Sequence, residues 1–184
     1  LGLSQAEQQG RAMSSQPFVP TPEWIAQARA VAQPQSLKDL YAQIWLGAYP
    51  RLQTQGPQSR DVFYRSYVQT YVQRDVRELL KVSDPLSFHR FLGVVAARTG
   101  QLLNYANLAN EVDIDTKTAK AWLSVLESSD VVFLLQPYHR NFGKRLVKSP
   151  KLYFLDVGLM AWLLGIRDAR SLETHAARGA LFET

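Results

Sequence analysis

The sequence contains no cysteine. That excludes disulfides and cysteine-based zinc sites, and it suits a reducing cytoplasm, the expected location. Histidine is scarce. His89, His139 and His175 lie far apart and lack metal-ligand spacing, so each reads as an ordinary polar residue and no metal is expected. No uninterrupted apolar run reaches the roughly 18 residues of a membrane span. The longest, Leu159 to Leu164, makes one or two helical turns. The phosphate loop G-x-x-x-x-G-K-S/T and the dinucleotide fingerprint G-x-G-x-x-G do not occur. Nor does the nucleophile elbow G-x-S-x-G. These residues are therefore expected to hold no cofactor and no complete active site.

What is present suits a folded domain. The 184 residues are 46% hydrophobic, enough for a core and for one or two small domains. Leu1 is not an initiator methionine and nothing near it resembles a signal peptide. The expectation is a stretch from inside a longer protein. The net charge of +5 is compatible with a nucleic-acid partner, and its distribution says more. Between Gln136 and Lys151 lie Arg140, Lys144, Arg145, Lys148 and Lys151, with no acid among them.

Along the chain, Pro17, Pro20 and Pro22 mark an extended linker. Thr21 caps a helix whose first position is Pro22. Ser36 opens another, with Leu37, Leu40, Tyr41 and Ile44 on one face, and it stops near Gly47. Residues 53–60 read as a polar loop. A long helix is expected from Asp61 to Val82, with Val62, Phe63, Ser66, Tyr67, Thr70, Tyr71, Arg74 and Leu79 near one side. Asp84-Pro85 starts a helix with a stripe of Phe88, Phe91, Leu92, Val94 and Val95, ended by Gly100.

The next stretch is the most informative. Asn104 caps a helix to Glu111, with Tyr105, Leu108 and Ala109 inward. Asp115 caps a second helix whose core positions are Ala119, Trp122, Leu123 and Leu126. Val131 to Leu135 and Lys151 to Leu155 read as strands, and Gly158 to Leu164 as a last apolar helix. Two short helices, then strand, basic loop and strand, are the order of a winged helix-turn-helix. The expected fold is mainly α with a small β-hairpin, a winged helix-turn-helix preceded by a helical connector. Residues 1–56 would be linker and connector helices. Residues 57–165 would hold the long helix and the winged helix-turn-helix, and 166–184 would lead into a further domain.

With Ala119, Trp122 and Leu123 buried, the second helix presents Thr116, Lys117, Lys120 and Ser124 outward. The hairpin adds Arg140, Lys144, Arg145 and Lys148, interleaved with Tyr138 and Phe142. Together these residues suit DNA phosphates. No arginine stands on the recognition face to read guanine, so sequence-specific contact is not expected. The bland alternative is a solvated, association-resistant hairpin edge on a module that binds protein. Arg74, Asp75, Arg77 and Glu78 form a charged cluster that reads as helix-surface or interdomain ion pairs, with presentation of an arginine to a phosphate as the sharper option. Asp156, before a glycine, reads as the cap of the last helix.

Several phrases recur in a known order. They are Gly47-Ala48-Tyr49-Pro50; Tyr71-Val72-Gln73-Arg74-Asp75-Val76-Arg77; Arg98-Thr99-Gly100-Gln101-Leu102-Leu103-Asn104; Thr118 to Leu123; Asn141 to Leu159; and Gly179-Ala180-Leu181-Phe182-Glu183-Thr184. Together they resemble the prokaryotic AAA+-like ATPases that carry a C-terminal domain of unknown function. The resemblance covers Gly47 to Thr184. It implies a P-loop ATPase core before this stretch, using ATP and magnesium, and a nuclease-like domain after it. Glu183 would match that domain's first-helix glutamate. None of the nucleotide-binding motifs falls on these residues. Two functions follow: a module contacting DNA, or a coupler between the flanking domains without nucleic acid. A third, an oligomer interface through Trp45 and Tyr49, stays open.

Overall fold

The computed structural model describes residues 2–8, 21–31, 34–72, 85–138 and 149–184. Among these the chain is mainly helical, with a two-stranded antiparallel hairpin. The leading segment carries α1 (Gln5–Gln8) and is tied down by the Leu3 amide, which donates to the Ala48 carbonyl at 2.7 Å. Thr21 caps α2 (Pro22–Val31), accepting from the Trp24 amide.

Ser36 and Asp39 cap α3 (Leu37–Leu46) together: the Ser36 hydroxyl accepts the Asp39 amide and donates to its carboxylate. Gly47 ends the helix at φ 83°, a left-handed conformation that favours glycine. Ile44 is buried, Leu40 and Tyr41 are partly so, and Leu37 points to solvent. Leu37 sits at the first position of the helix, beyond the reach of the core.

Part of the expected polar loop is helical. Pro50 pre-sets the first turn of α4 (Pro50–Gln55), and Leu52 anchors it in the core. One buried leucine outweighs the polar composition around it. A short 3₁₀ turn, Pro57–Ser59, leads into α5 (Arg60–Tyr67). The expected apolar face of α5 is rotated. Val62 is 70% exposed, whereas Arg60, Tyr64 and Val68 turn inward at successive i, i+4 positions. Hydropathy ranks arginine and tyrosine below valine, but here both find carbonyl partners inside. The helix widens into a π-turn over Val68–Val72. Beyond residue 72 the expected long helix lies outside the described residues.

Three helices follow in close succession. Phe88, Phe91, Leu92, Val95 and Ala96 turn α6 (Pro85–Ala97) toward the core. Asn104 caps α7 (Tyr105–Val112), accepting from the Asn107 amide at 3.1 Å. Asp113, at φ 60°, reverses the chain. Asp115 then caps α8 (Thr116–Ser128), accepting from the Thr118 amide at 2.9 Å. Ala119, Trp122, Leu123, Val125 and Leu126 form its buried face. α7 packs against both α6 and α8, and α8 leans on the hairpin.

Strands β1 (Val132–Leu135) and β2 (Lys151–Phe154) pair from Val132 opposite Phe154 to Leu135 opposite Lys151. Each is one residue shorter than expected. Leu102 bridges to Lys151, adding a single rung from the α6–α7 connection. Leu152, Phe154 and Val132 face the core, and Phe133 and Tyr153 stack on the outer face.

Helix α9 (Val157–Leu163) is the hub: it packs on α3, α5, α6 and β2, and on the closing helix α10 (Arg178–Glu183). A 3₁₀ turn at Arg170–Glu173 packs back on α3. Leu181 of α10 is buried, and the edge of Phe182 meets Tyr41.

Trp122 is 5% exposed and sits edge-on to Phe88 and Phe91, both at 5.3 Å. Trp122→Ala should cost about 3–5 kcal/mol of unfolding free energy in a urea titration. A cost well below about 1 kcal/mol would mean that α8 is rotated from this packing.

Candidate functional site

The outward face of α8 is as the sequence suggests. Thr116, Lys117, Lys120 and Ser124 are all exposed. Lys120 Nζ lies 5.4 Å from the centre of the Tyr105 ring, a cation–π contact that leans it toward α7. Among the described residues, neither lysine has a carboxylate within ion-pair range. Hydrogen bonds from the Thr118 hydroxyl and amide hold the Asp115 carboxyl below its usual range, so this acid serves as the cap. Arg140, Lys144, Arg145 and Lys148, and the cluster Arg74, Asp75, Arg77, lie outside the described residues. Tyr138, at the exit of β1, is exposed.

A second set of residues meets in the interior. Asp156 caps α9 by accepting the Leu159 amide on Oδ1 at 2.6 Å, as the sequence predicts. It does more than cap. Oδ2 accepts the Ala48 amide at 2.7 Å, just past the end of α3. The Tyr64 hydroxyl of α5 lies 2.8 Å from Oδ1 and 2.9 Å from the Leu46 carbonyl. Burial raises the Asp156 carboxyl above its ordinary value, opposed by the two amides, the Tyr64 hydroxyl and the nearby Arg60 charge. Burial, reinforced by Asp156, also pushes the Tyr64 hydroxyl upward, so this tyrosine stays protonated as a donor.

Close approach of backbone makes this geometry possible. A Cβ on Gly158 would fall 2.4 Å from the Gly47 Cα and 2.2 Å from the Tyr64 hydroxyl. Neither glycine leaves room for a side chain, and Gly47 needs its positive φ besides. Beside them Arg60 donates from Nε to the Trp45 carbonyl at 2.7 Å and from Nη2 to the Gly158 carbonyl at 3.3 Å. Its guanidinium stacks 4.1 Å from the Trp45 ring centre. Burial holds the Arg60 guanidinium below its ordinary value.

A third cluster lies on the outer face of the hairpin. Glu183 accepts from Lys151 Nζ at 2.7 Å and from the Tyr153 hydroxyl. These bonds hold the Glu183 carboxyl below its usual range and raise Lys151. The chain's last helix is thereby fastened to β2. Residue types alone gave no reason to join Glu183 to Lys151, because the two are 32 positions apart. Likewise Arg60, Tyr64 and Ala48 escape a search for motifs. Their one sequence signal is the i, i+4 spacing of Arg60, Tyr64 and Val68.

The described residues hold no cluster of three or more His, Asp and Glu side chains suited to a metal ion. His175 accepts the Ala177 amide within its own turn. No described helix is long and apolar enough to cross a membrane.

A family model described as Domain of unknown function (DUF8612) matches residues 37–170. The chain belongs to that family. The matched span of the DUF8612 domain runs from α3 past α9 and so contains the whole Asp156 node, while Glu183 lies outside it. Two uncharacterized proteins, of Mycobacterium bovis and Mycobacterium tuberculosis, are each 33% identical over 142 residues, covering 76% of this chain and 32% of their own length. The chain thus spans about a third of the curated relatives it matches. No solved structure matches it.

Asp156→Ala should destabilise the DUF8612 domain by about 3 kcal/mol, because it orphans the Ala48 amide and uncaps α9. A denaturant titration checks it. The Glu183 tie has a defined sign. A carboxyl held below its unfolded value stabilises at neutral pH, and that contribution fades as pH falls through its folded value. Acidification should therefore raise hydrogen exchange in α10 before it does so in α8. Simultaneous opening of both helices would argue against a separable tie.

Proposed function

We propose that α6, α7, α8 and the β1–β2 hairpin form a winged helix-turn-helix that contacts DNA without sequence preference. The observation that carries this reading is the outward stripe of Thr116, Lys117 and Lys120 on α8, backed by a buried Trp122 and free of ion pairing among the described residues. The order of elements supports it: helix, bridging residue, two helices joined by a tight turn, then two antiparallel strands. Lysines with no carboxylate to satisfy are available to phosphates, and each neutralised phosphate releases counterions. Hydroxyls at the first turn add donors without reading bases. The basic run of Arg140, Lys144, Arg145 and Lys148 would extend the contact along the backbone.

On the resemblance described above, this module works inside a longer cytoplasmic AAA+-like ATPase, whose ATP and magnesium bind outside these residues. The fragment itself then has no enzymatic role. A second reading, a coupler between flanking domains that leaves nucleic acid alone, is favoured by the Glu183 tie, which joins the closing helix to the hairpin strand. The Arg74, Asp75 and Arg77 cluster belongs to that reading.

Fluorescence anisotropy with a labelled random-sequence duplex separates the two. On the first reading, binding weakens steeply with added salt. The Lys117→Glu/Lys120→Glu pair then lowers affinity by about tenfold or more, and charge reversal at Lys144, Arg145 and Lys148 lowers it further. Absence of binding at low salt would favour the coupler.

A further inference from the structure

A cavity of about 510 Å³ opens between α3, α5 and the end of α9. Its walls include Trp45, Trp162, Arg60, Arg167, Asp61 and Gln58. We propose that this cavity is a binding site for a small ligand that combines a flat ring with an oxyanion. The site is unconnected with the DNA-facing stripe and does not rest on that reading.

The two indoles are fixed in place. Trp45 Nε1 donates to the Ile166 carbonyl at 2.9 Å, and Trp162 Nε1 donates to Asp61 Oδ1 at 2.7 Å. Both rings are half-buried, with their polar edges engaged in these bonds. Rings held in this way offer apolar surface to a planar group at little cost in rotamer entropy.

The charge balance specifies the other half of the ligand. Arg60 is 3% exposed, yet it meets two backbone carbonyls and the faces of Trp45 and Tyr64. Among the described residues no carboxylate lies within ion-pair range of it. A guanidinium has more N–H donors than these two carbonyls take up. Arg167 adds a second, exposed cation to the cavity wall. Asp61, the wall's carboxylate, is engaged by the Trp162 indole and by Arg65 at 3.3 Å. The Asp61 and Asp156 carboxylates act on Arg60 only from beyond ion-pair range, so a buried guanidinium with N–H donors to spare still gains from an anion brought into direct contact in a low-dielectric setting. The volume matches that of small-molecule sites, which run roughly 300–1,000 Å³.

A nucleotide phosphate and an aromatic carboxylate share this chemistry. Isothermal titration calorimetry of the whole 184-residue chain with adenosine monophosphate, benzoate, adenosine and inorganic phosphate tells them apart. The expected result is saturable binding of adenosine monophosphate or benzoate, about tenfold tighter than adenosine or phosphate alone. Arg167→Glu, on the surface, should weaken that binding by about tenfold while leaving the thermal melt in place. Arg60→Lys should weaken it as well, since a lysine lacks the planar fork. No heat from either ring-bearing anion up to about 10 mM would overturn the proposal. So would binding that Arg167→Glu leaves unchanged, or binding of phosphate alone as tight as that of the ring-bearing anions.

Discussion

The carboxylate of Asp156 holds this structure at the point where three helices meet. It caps α9, receives the first free amide past α3 and faces the hydroxyl of Tyr64 on α5. Burying a carboxylate is costly, and the cost is met when amide and hydroxyl donors replace its hydration. Each donor comes from a different element, so the helices cannot slide without breaking a buried bond. The backbone contact of Gly47 with Gly158 depends on the same alignment, since any side chain at either position would displace Tyr64. Removing one donor leaves a buried group unpaired, which costs more than the lost bond itself was worth.

This node divides the molecule between an inner framework and an outer surface. The framework is α3, α5 and α9, with aromatic packing spreading from Tyr64 through Tyr49, Phe63 and Trp162. The α7–α8 pair is anchored separately, by Trp122 against Phe88 and Phe91. Helix α6 touches both α7 and α9, and so it carries the helix pair on the framework. A surface helix held by so many buried contacts fixes the backbone positions from which its exposed lysines reach out. That suits contact with a polyanion, because little order has to be gained on binding. The Glu183 tie is of another kind. It joins an exposed ion pair to the hydroxyl of the buried Tyr153, and exposed ion pairs are weak and respond to salt and pH.

The chain belongs to a domain family of unknown function, and its matched part covers about a third of its curated relatives. Three surfaces carry chemistry here: the α8 stripe, the outer face of the hairpin, and the tryptophan- and arginine-lined cavity. They differ in what they would recognise. The stripe offers mobile lysines to phosphates in series, and the cavity offers one fixed guanidinium between flat walls. The hairpin face already holds a carboxylate of its own chain.

Local chemistry was legible in the sequence because its causes are local. Ser36, Asn104, Asp115 and Asp156 cap the helices their side-chain types announce, since a cap needs only an oxygen near two or three amides. The 3.6-residue period placed Ala119, Trp122, Leu123 and Leu126 inside, and with them Thr116, Lys117 and Lys120 outside. The hairpin strands were placed to within a residue by β-branched and apolar content. Tertiary structure decided the rest. A pattern reading put Val62 inward, whereas Arg60 and Tyr64 took that face because carbonyls of Trp45, Leu46 and Gly158, remote in sequence, accept their hydrogen bonds. The polar stretch after Pro50 became helix because Leu52 reached the core. Asp156 was legible as a cap and illegible as a junction, and Glu183 could be joined to Lys151 only once α10 was folded onto the sheet. Periodicity and capping act within a few residues and so are written in the chain. Partners across the fold depend on which surfaces meet, and that is settled by packing.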